Sequence, residues 1–145
     1  GERYTAVHGL GELNNMLGAV DIVVNTLPLT PSTVSLINGS AFTAMQRHCV
    51  FLNVGRGGVV DEDALYEALA DKTIGGAIID TWYSYPTDAS TPHRPATRRF
   101  EDLPNIVMTP HMSGWTNGTI ARRQATIADN ITRLAEGHPL INQLN

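Results

Sequence analysis

A chain of 145 residues, 42% of them hydrophobic and 17% charged, is long enough to form one domain with a buried core. Its formal net charge of −4 argues against binding to nucleic acid or to an anionic membrane surface, because both need clustered basic side chains. No apolar run is long enough to span a bilayer, and the N-terminus does not show the charged leader and apolar block of a signal peptide. We therefore expect a cytoplasmic protein without a membrane partner.

Four short apolar runs predict buried β-strands. They are rich in Val and Ile and nearly continuous rather than alternating, which favours strands buried on both faces of a parallel sheet. The runs are VDIVVNTLP (20–28), CVFLNV (49–54), GAIIDTW (76–82) and NIVMTP (105–110). The single cysteine, Cys49, begins the second run and is interpreted as a small thiol in the core.

Helical segments alternate with these strands. They are predicted over residues 12–17, 39–47 and 61–71, and the last of them opens with Asp61 as a capping side chain. Alternation of strands and helices is typical of α/β proteins in which right-handed crossovers connect parallel strands. The sequence therefore predicts a Rossmann-like, doubly wound parallel sheet.

Two segments depart from this alternation. Residues 83–104 contain four prolines and no periodicity, which predicts a long loop without structure of its own. The longest helix is predicted over about 117–136, where Gly137 provides a stop signal. Its apolar stripe consists of Ile120, Ile127, Ile131 and Leu134.

Residues 9–14, GLGELN, partly match the dinucleotide-binding turn G-x-G-x-x-G. The third glycine is absent, and the strand before the turn is weak. The position that should carry an acidic residue for the ribose is Asn25. A turn that leads into a helix is the better interpretation.

The carboxyl ends of the predicted strands carry side chains suited to chemistry, and ligands of open parallel sheets bind at these ends. Arg56, between glycines in NVGRGG, is suited to bidentate binding of a carboxylate. His111, after the fourth strand, is suited to proton transfer near neutral pH. Asp80 lies at the end of the third strand. Taken singly, each residue has another interpretation: Arg56 also fits a loop salt bridge, Asp80 fits the cap of a turn, and His111 fits a structural role. Together they indicate one crevice for a ligand.

The same residues resemble a known family. The segments PLTPST (28–33), LNVGRGGVVDEDALYEAL (52–69), GGAIIDTW (75–82) and LPNIVMTPHMSG (103–114) follow one another as in the D-isomer-specific 2-hydroxyacid dehydrogenases. The P-H-M-S-G stretch is also similar to that of formate dehydrogenases, a branch of this family. The resemblance covers nearly the whole chain.

This resemblance implies an oxidoreductase that transfers hydride between NAD or NADP and a small 2-hydroxy or 2-oxo acid. It implies that Arg56 orients the substrate carboxylate, that His111 gives or takes the hydroxyl proton, and that Asp80 holds the nicotinamide carboxamide. The other cofactor contacts that it implies are Pro28, Leu29, Thr30, Pro31, Ser32, Val54, His111, Met112, Ser113 and Gly114. The spacing of His, Cys and carboxylates gives no reason to expect a metal.

Members of this family are longer than the present sequence, which is therefore expected to be a fragment. Residues 1–116 are expected to form the C-terminal part of the NAD(P)-binding domain. Residues 117–145 are expected to form a helix and tail that return towards the substrate domain. The fragment alone is expected to bind NAD poorly and to be inactive, whereas the full-length protein is expected to be a homodimer.

One position departs from the family pattern. Most members carry a glutamate five residues after the aspartate, hydrogen-bonded to the catalytic histidine, but this sequence has Tyr85 there. A carboxylate favours the imidazolium form, whereas a neutral phenol supplies no such charge. Either the histidine works without a carboxylate, or Glu101 or Asp102 substitutes for it. In a third alternative the substrate needs less acid–base help, as in formate dehydrogenases, which carry a neutral glutamine at this position.

Two other classes of function are open at this point. A non-catalytic NAD-sensing module would tolerate loss of the glutamate, although it has no evident need of both Arg56 and His111. A hydrolase that uses Ser113 with His111 is disfavoured, because residues two apart at a turn rarely face one another and no G-x-S-x-G motif is present. A basic loop segment is interpreted as solvated, with binding of an anionic substrate or phosphate as the alternative; it contains His93, Arg94, Arg98 and Arg99.

Overall fold

A computed structural model describes residues 5–88 and 92–144 of the chain. It divides into two units, of which the first ends at His111 and the second begins at Met112. The first unit contains a four-stranded, all-parallel sheet in the order β1-β2-β3-β4. Its strands are β1 (Ile22–Asn25), β2 (Val50–Asn53), β3 (Gly76–Ile79) and β4 (Ile106–Met108). The prediction of an α/β, Rossmann-like parallel sheet is confirmed.

The register of the sheet aligns the carboxyl ends of all four strands. Asn25 pairs with Asn53, Asn53 with Ile79, and Ile79 with Met108. Each strand is shorter than the apolar run that predicted it, because the last residues of each run already belong to the turn that follows. Those turns therefore begin at one common edge, where ligands of parallel sheets bind.

Short helices precede the first three strands. Helix α1 (Leu13–Leu17) comes before β1, α2 (Gly39–Ala44) connects β1 to β2, and α3 (Glu62–Ala70) connects β2 to β3. As predicted, Asp61 caps α3: its side chain accepts a hydrogen bond from the Ala64 N–H at 2.9 Å. The GLGELN segment forms a 3-10 turn (Leu10–Glu12) that leads directly into α1, as the sequence analysis favoured.

The core lies between these helices and the sheet. Phe42 on α2 and Phe51 on β2 are buried and pack edge to face, with ring centroids 5.4 Å apart. Cys49, two residues before Phe51, is fully buried, and this burial raises the pKa of its thiol. The interpretation of Cys49 as a core thiol is confirmed.

The connection between β3 and β4 differs from the prediction of a structureless loop over 83–104. Residues 89–91 lie outside the described residues, but the segment after them contains a 3-10 helix (Phe100–Asp102). Phe100 is fully buried and packs against the rings of Tyr66, Trp82 and Tyr83 at 5.5, 6.1 and 6.5 Å. The prediction was wrong here because it relied on the prolines and the missing periodicity. Neither of them reports the free energy that is gained when a single aromatic side chain is buried.

The three arginines of this connection, Arg94, Arg98 and Arg99, are engaged in ion pairs. The Arg98 Nε lies 2.6 Å from an Asp63 carboxylate oxygen, and the Arg98 guanidinium lies 5.1 Å from the Tyr66 ring centroid. The Arg99 Nε lies 2.7 Å from Asp102. These contacts favour a solvated, structural role for the segment over binding of an anion.

The second unit contains the longest helix, α4 (Thr119–Ala135), close to the predicted range. Gly137 follows it with a φ of 72°, a left-handed conformation that glycine adopts without strain, and thus acts as the predicted stop signal. The four side chains of the predicted apolar stripe are all exposed, from Ile120 at 48% to Leu134 at 71%. Within the described ranges, none of the helices combines the length and the apolar character needed to cross a membrane.

Candidate active site

Two buried asparagines shape the carboxyl ends of β1 and β2. The Asn25 Nδ2 donates to the Asn53 Oδ1 at 2.9 Å, and the same oxygen accepts from the Gly55 N–H at 3.1 Å. The Asn53 Nδ2 donates to the Arg56 carbonyl at 3.3 Å, and the Asn25 Oδ1 accepts from the Leu27 N–H at 3.1 Å. One side-chain pair thus fixes the turns after both strands. The sequence analysis did not single it out, although the signal was an asparagine ending two apolar runs.

The glycines of NVGRGG are required because backbone passes close to them. A Cβ atom on Gly55 would lie 2.7 Å from the Leu27 carbonyl oxygen. A Cβ atom on Gly57 would lie 3.0 Å from the Tyr83 nitrogen and closer still to the Trp82 carbonyl. The turn after β2 therefore packs directly on the chain that leaves β1 and on the chain that leaves β3.

Arg56 projects from this turn and is exposed. Its Nη1 donates to the carbonyl oxygen of Gly55 at 2.7 Å. Within residues 5–88 and 92–144, the guanidinium has no ion pair with a carboxylate. Its remaining N–H groups are available to an anionic ligand.

Hydroxyl groups organise the turn after β1. The Thr33 Oγ1 donates to the Pro28 carbonyl at 2.7 Å and accepts from the Thr30 N–H at 2.8 Å. The Thr30 and Ser32 hydroxyls lie 3.0 Å apart. Thr33, which is buried, was missed by the sequence analysis, whereas four of the predicted cofactor contacts lie exposed on this turn. They are Pro28, Leu29, Pro31 and Ser32.

The ends of β3 and β4 are joined by side chains. The Thr109 hydroxyl donates to the Asp80 carboxylate at 2.6 Å, and the Trp82 indole N–H donates to the Thr109 carbonyl at 2.8 Å. Asp80 is only 2% exposed, and its carboxylate is held where β3 ends. Val54, another predicted cofactor contact of the first unit, is half-buried and donates its N–H to the Asn25 carbonyl at 3.1 Å.

His111 and Tyr85 are in direct contact. The Tyr85 Oη lies 2.9 Å from the His111 Nδ1, and the two rings are 5.5 Å apart and tilted by 44°. The Trp82 main-chain N–H donates to the same Oη at 3.0 Å. His111 has a φ of 56°, a left-handed conformation that is uncommon outside glycine and costs about 1 kcal/mol. The residue that contacts Tyr85 therefore has a left-handed backbone.

Glu101, Asp102 and Arg56 have other partners among the described residues. Glu101 and Asp102 form ion pairs with Arg99, so neither takes the place of the glutamate beside His111. Arg56 lies on the same sheet edge, two strands from His111, and no hydrogen bond joins it to His111 or Tyr85 among the described residues. Met112, Ser113 and Gly114 belong to the second unit and are exposed.

Comparison with known proteins gives consistent matches. Residues 2–113 match the model of the D-isomer specific 2-hydroxyacid dehydrogenase, NAD binding domain. A glyoxylate/hydroxypyruvate reductase B from Pectobacterium carotovorum is 35% identical over 144 residues, which are 99% of this chain and 42% of the relative. The chain thus spans less than half the length of that relative.

Two solved structures are similar in fold. A D-isomer specific 2-hydroxyacid dehydrogenase from Xanthobacter autotrophicus, in complex with NADPH and MES, matches with a TM-score of 0.72 and 34% identity over 96% of this chain and 54% of that one. An NADPH-dependent glyoxylate/hydroxypyruvate reductase from Sinorhizobium meliloti, in complex with NADP and sulfate, matches with a TM-score of 0.74 and 28% identity over 99% and 46%. The chain belongs to the D-isomer-specific 2-hydroxyacid dehydrogenase family, and its residues 2–113 match the NAD-binding domain of that family.

Proposed function

We propose that the whole protein is an NAD(P)-dependent oxidoreductase that interconverts a small 2-oxo acid and the corresponding 2-hydroxy acid. One observation carries the proposal: a single sheet edge holds a guanidinium that has no carboxylate partner in the described part of the chain and a histidine whose ring is fixed by a hydrogen bond. These groups are Arg56 after β2 and His111 after β4. An anchor for a carboxylate and a proton carrier are what reduction of a 2-oxo acid requires.

The described residues fit a nicotinamide cofactor at this edge. Asp80 offers a carboxylate whose position is fixed by Thr109, and such an acceptor suits a carboxamide N–H₂ group. The exposed turn after β1 offers apolar surface and hydroxyl groups for the rest of the cofactor, which is NAD or NADP. When bound, the nicotinamide supplies or accepts the hydride.

The residues of this chain then have separate roles. Arg56 binds the carboxylate of the substrate through two parallel N–H···O bonds and so orients the neighbouring C2 carbon. His111 holds the proton that joins the C2 oxygen in reduction and receives it in oxidation. Glycines at 55 and 57 let the turn pack on the backbone that follows β1 and β3, which places the Arg56 side chain at the edge of the sheet.

A kinetic experiment on the full-length protein tests this proposal. Oxidation of NADH and NADPH is followed with glyoxylate, hydroxypyruvate and pyruvate as substrates. Reduction of NAD with formate is measured as well, because Tyr85 takes the place of a carboxylate. We expect turnover of at least one 2-oxo acid, and we expect His111→Ala to lower kcat about 10²- to 10⁴-fold, the usual contribution of a positioned acid or base.

Matched controls come from the opposite edge of the sheet. Arg47 and His48 are exposed and precede β2, so they carry the same functional groups away from the site. We expect Arg47→Ala and His48→Ala to leave kcat/KM within about twofold, as surface substitutions usually do. A wild-type protein that binds NADH but turns over none of these substrates refutes the proposal and favours an NAD-sensing module.

Two further parts of the proposal concern the whole protein. We infer that α4 packs its apolar stripe against the substrate domain, as expected for residues 117–145, because the stripe is exposed in the chain described here. Hydrogen exchange of α4 in the full-length protein, before and after deletion of the substrate domain, measures this contact. The homodimer stays a prediction, which sedimentation equilibrium of the full-length protein tests.

A further inference from the structure

The Tyr85 phenol lies between a donor and a histidine nitrogen. Its oxygen accepts the Trp82 main-chain N–H at 3.0 Å, which occupies one of its two lone pairs. The same oxygen lies 2.9 Å from the His111 Nδ1. The phenol has one proton and one lone pair left, so the bond to neutral His111 runs either from the phenol O–H to Nδ1 or from Nδ1–H to the phenol oxygen.

Acidity decides between these two directions. A phenol O–H is a far stronger acid than the N–H of neutral imidazole, and an imidazole nitrogen is a far stronger base than a phenol oxygen. The bond from phenol to nitrogen therefore pairs the better donor with the better acceptor. The hydrogen bond from Trp82 strengthens this preference, because an oxygen that accepts a hydrogen bond becomes a better donor through its own proton.

We propose that Tyr85 is a positioning residue that holds neutral His111 in the tautomer with its proton on Nε2. This inference rests on the proposed function, in which His111 carries the proton. Since Nδ1 is occupied by Tyr85, Nε2 is the nitrogen left for a ligand. A carboxylate in place of the phenol would impose the opposite tautomer, because an ionised carboxylate only accepts and therefore needs a proton on Nδ1.

The tautomer decides what the neutral ring can do. With its proton on Nε2, His111 donates a hydrogen bond to the carbonyl oxygen of a 2-oxo acid. In this tautomer the Nε2 atom has no free lone pair that could receive the hydroxyl proton of a 2-hydroxy acid. Oxidation first requires the proton to move to Nδ1, with loss of the bond donated by Tyr85, whereas reduction uses the imidazolium, in which both nitrogens are protonated.

Nitrogen-15 NMR of the full-length protein measures the tautomer directly. The protein is labelled at histidine, the His111 signals are identified by their loss in His111→Asn, and spectra are recorded at a pH where the ring is neutral. We expect an unprotonated Nδ1 in the wild type, a protonated Nδ1 in Tyr85→Glu, and a mixture in Tyr85→Phe. A protonated Nδ1 in the wild type would overturn the proposal, whether or not the protein has activity.

Kinetics provide a second measurement. In Tyr85→Glu, we expect the histidine-dependent limb of the pH profile of 2-oxo acid reduction to move to higher pH by about 1 unit, because a carboxylate stabilises the imidazolium. We expect the alkaline plateau of 2-hydroxy acid oxidation to rise about two- to tenfold, the factor that one neutral hydrogen bond contributes to an equilibrium. Tyr85→Phe, which retains the ring, controls for packing.

Different results would refute the proposed role of Tyr85 and the proposed function. An unchanged pH limb and an unchanged plateau in Tyr85→Glu would refute control of His111 by residue 85. An unprotonated Nδ1 in a protein that turns over no 2-oxo acid would confirm the tautomer and refute the proposed function instead.

Discussion

Gly57 is the position at which one added methyl group should disturb the site most. In Gly57→Ala the new Cβ would lie 3.0 Å from the Tyr83 nitrogen and closer still to the Trp82 carbonyl. Overpacking a filled site costs about 1–3 kcal/mol. Because the obstacle here is the backbone where β3 ends rather than a side chain that can rotate, we expect a loss near the top of this range, about 3 kcal/mol.

The matched control is the next residue. A Cβ atom on Gly58 would meet only the Leu29 methyl groups, at 3.2 Å, and Leu29 is about half exposed and can turn aside. Urea unfolding of the full-length protein, followed by tryptophan fluorescence, gives the free energy of unfolding for both variants. We expect Gly58→Ala to stay within about 1 kcal/mol of the wild type, as tolerated repacking does. Equal stability of the two variants would show that the turn after β2 does not pack on the backbone of Trp82.

Three further predictions concern other contacts. Arg56→Lys should lower kcat/KM for a 2-oxo acid about 10- to 150-fold, since a bond to a charged group contributes about 1.5–3 kcal/mol, and Arg47→Lys should not. Asn53→Ala should lower the free energy of unfolding in urea by about 1–3 kcal/mol, because it leaves the buried Asn25 amide without its acceptor; an unchanged midpoint would contradict this. Burial of its side chain is the main cause that raises the pKa of Tyr83, and the negative charges of the acidic residues at the start of α3 raise it further. Above the unfolded pKa of about 10, the unfolded chain loses a proton that the folded chain keeps, so the free energy of unfolding should fall with rising pH, and Tyr83→Phe should reduce this slope by up to about 1.4 kcal/mol per pH unit.

The parts of the fold that follow from local sequence were predictable. Each strand is a short run of apolar residues, so its position could be predicted. The prediction that the strands are buried on both faces was wrong for the two edge strands, because Ile22 and Val24 on β1 and Val107 on β4 are more than half exposed. The cap on α3 was predictable because Asp61 and the amide that it accepts from are three residues apart. Arg56 and His111 could be predicted to lie at one edge because parallel strands bring their carboxyl ends together, which follows from topology alone, and both residues follow strands at that edge.

The contacts that position these residues depend on register, which the sequence does not display. Asn25 and Asn53 are 28 residues apart and meet only because β1 and β2 pair with their last residues level. Phe100 follows a proline-rich segment without periodicity, so no local pattern indicated that its ring is buried among three aromatic side chains. Likewise, the sequence analysis raised Tyr85 as a departure from the family pattern, but its two hydrogen bonds required the structure.

Trp82 links the two halves of the candidate site through three different groups. Its carbonyl lies against Gly57, beside Arg56; its indole N–H holds the carbonyl of Thr109 after β4; and its main-chain N–H binds the Tyr85 phenol that contacts His111. One residue at the end of β3 therefore contacts both the turn that carries the arginine and the phenol that contacts the histidine. The family pattern contains a carboxylate partner for the histidine, whereas here the end of β3 supplies the Tyr85 phenol and the backbone donor that orients it.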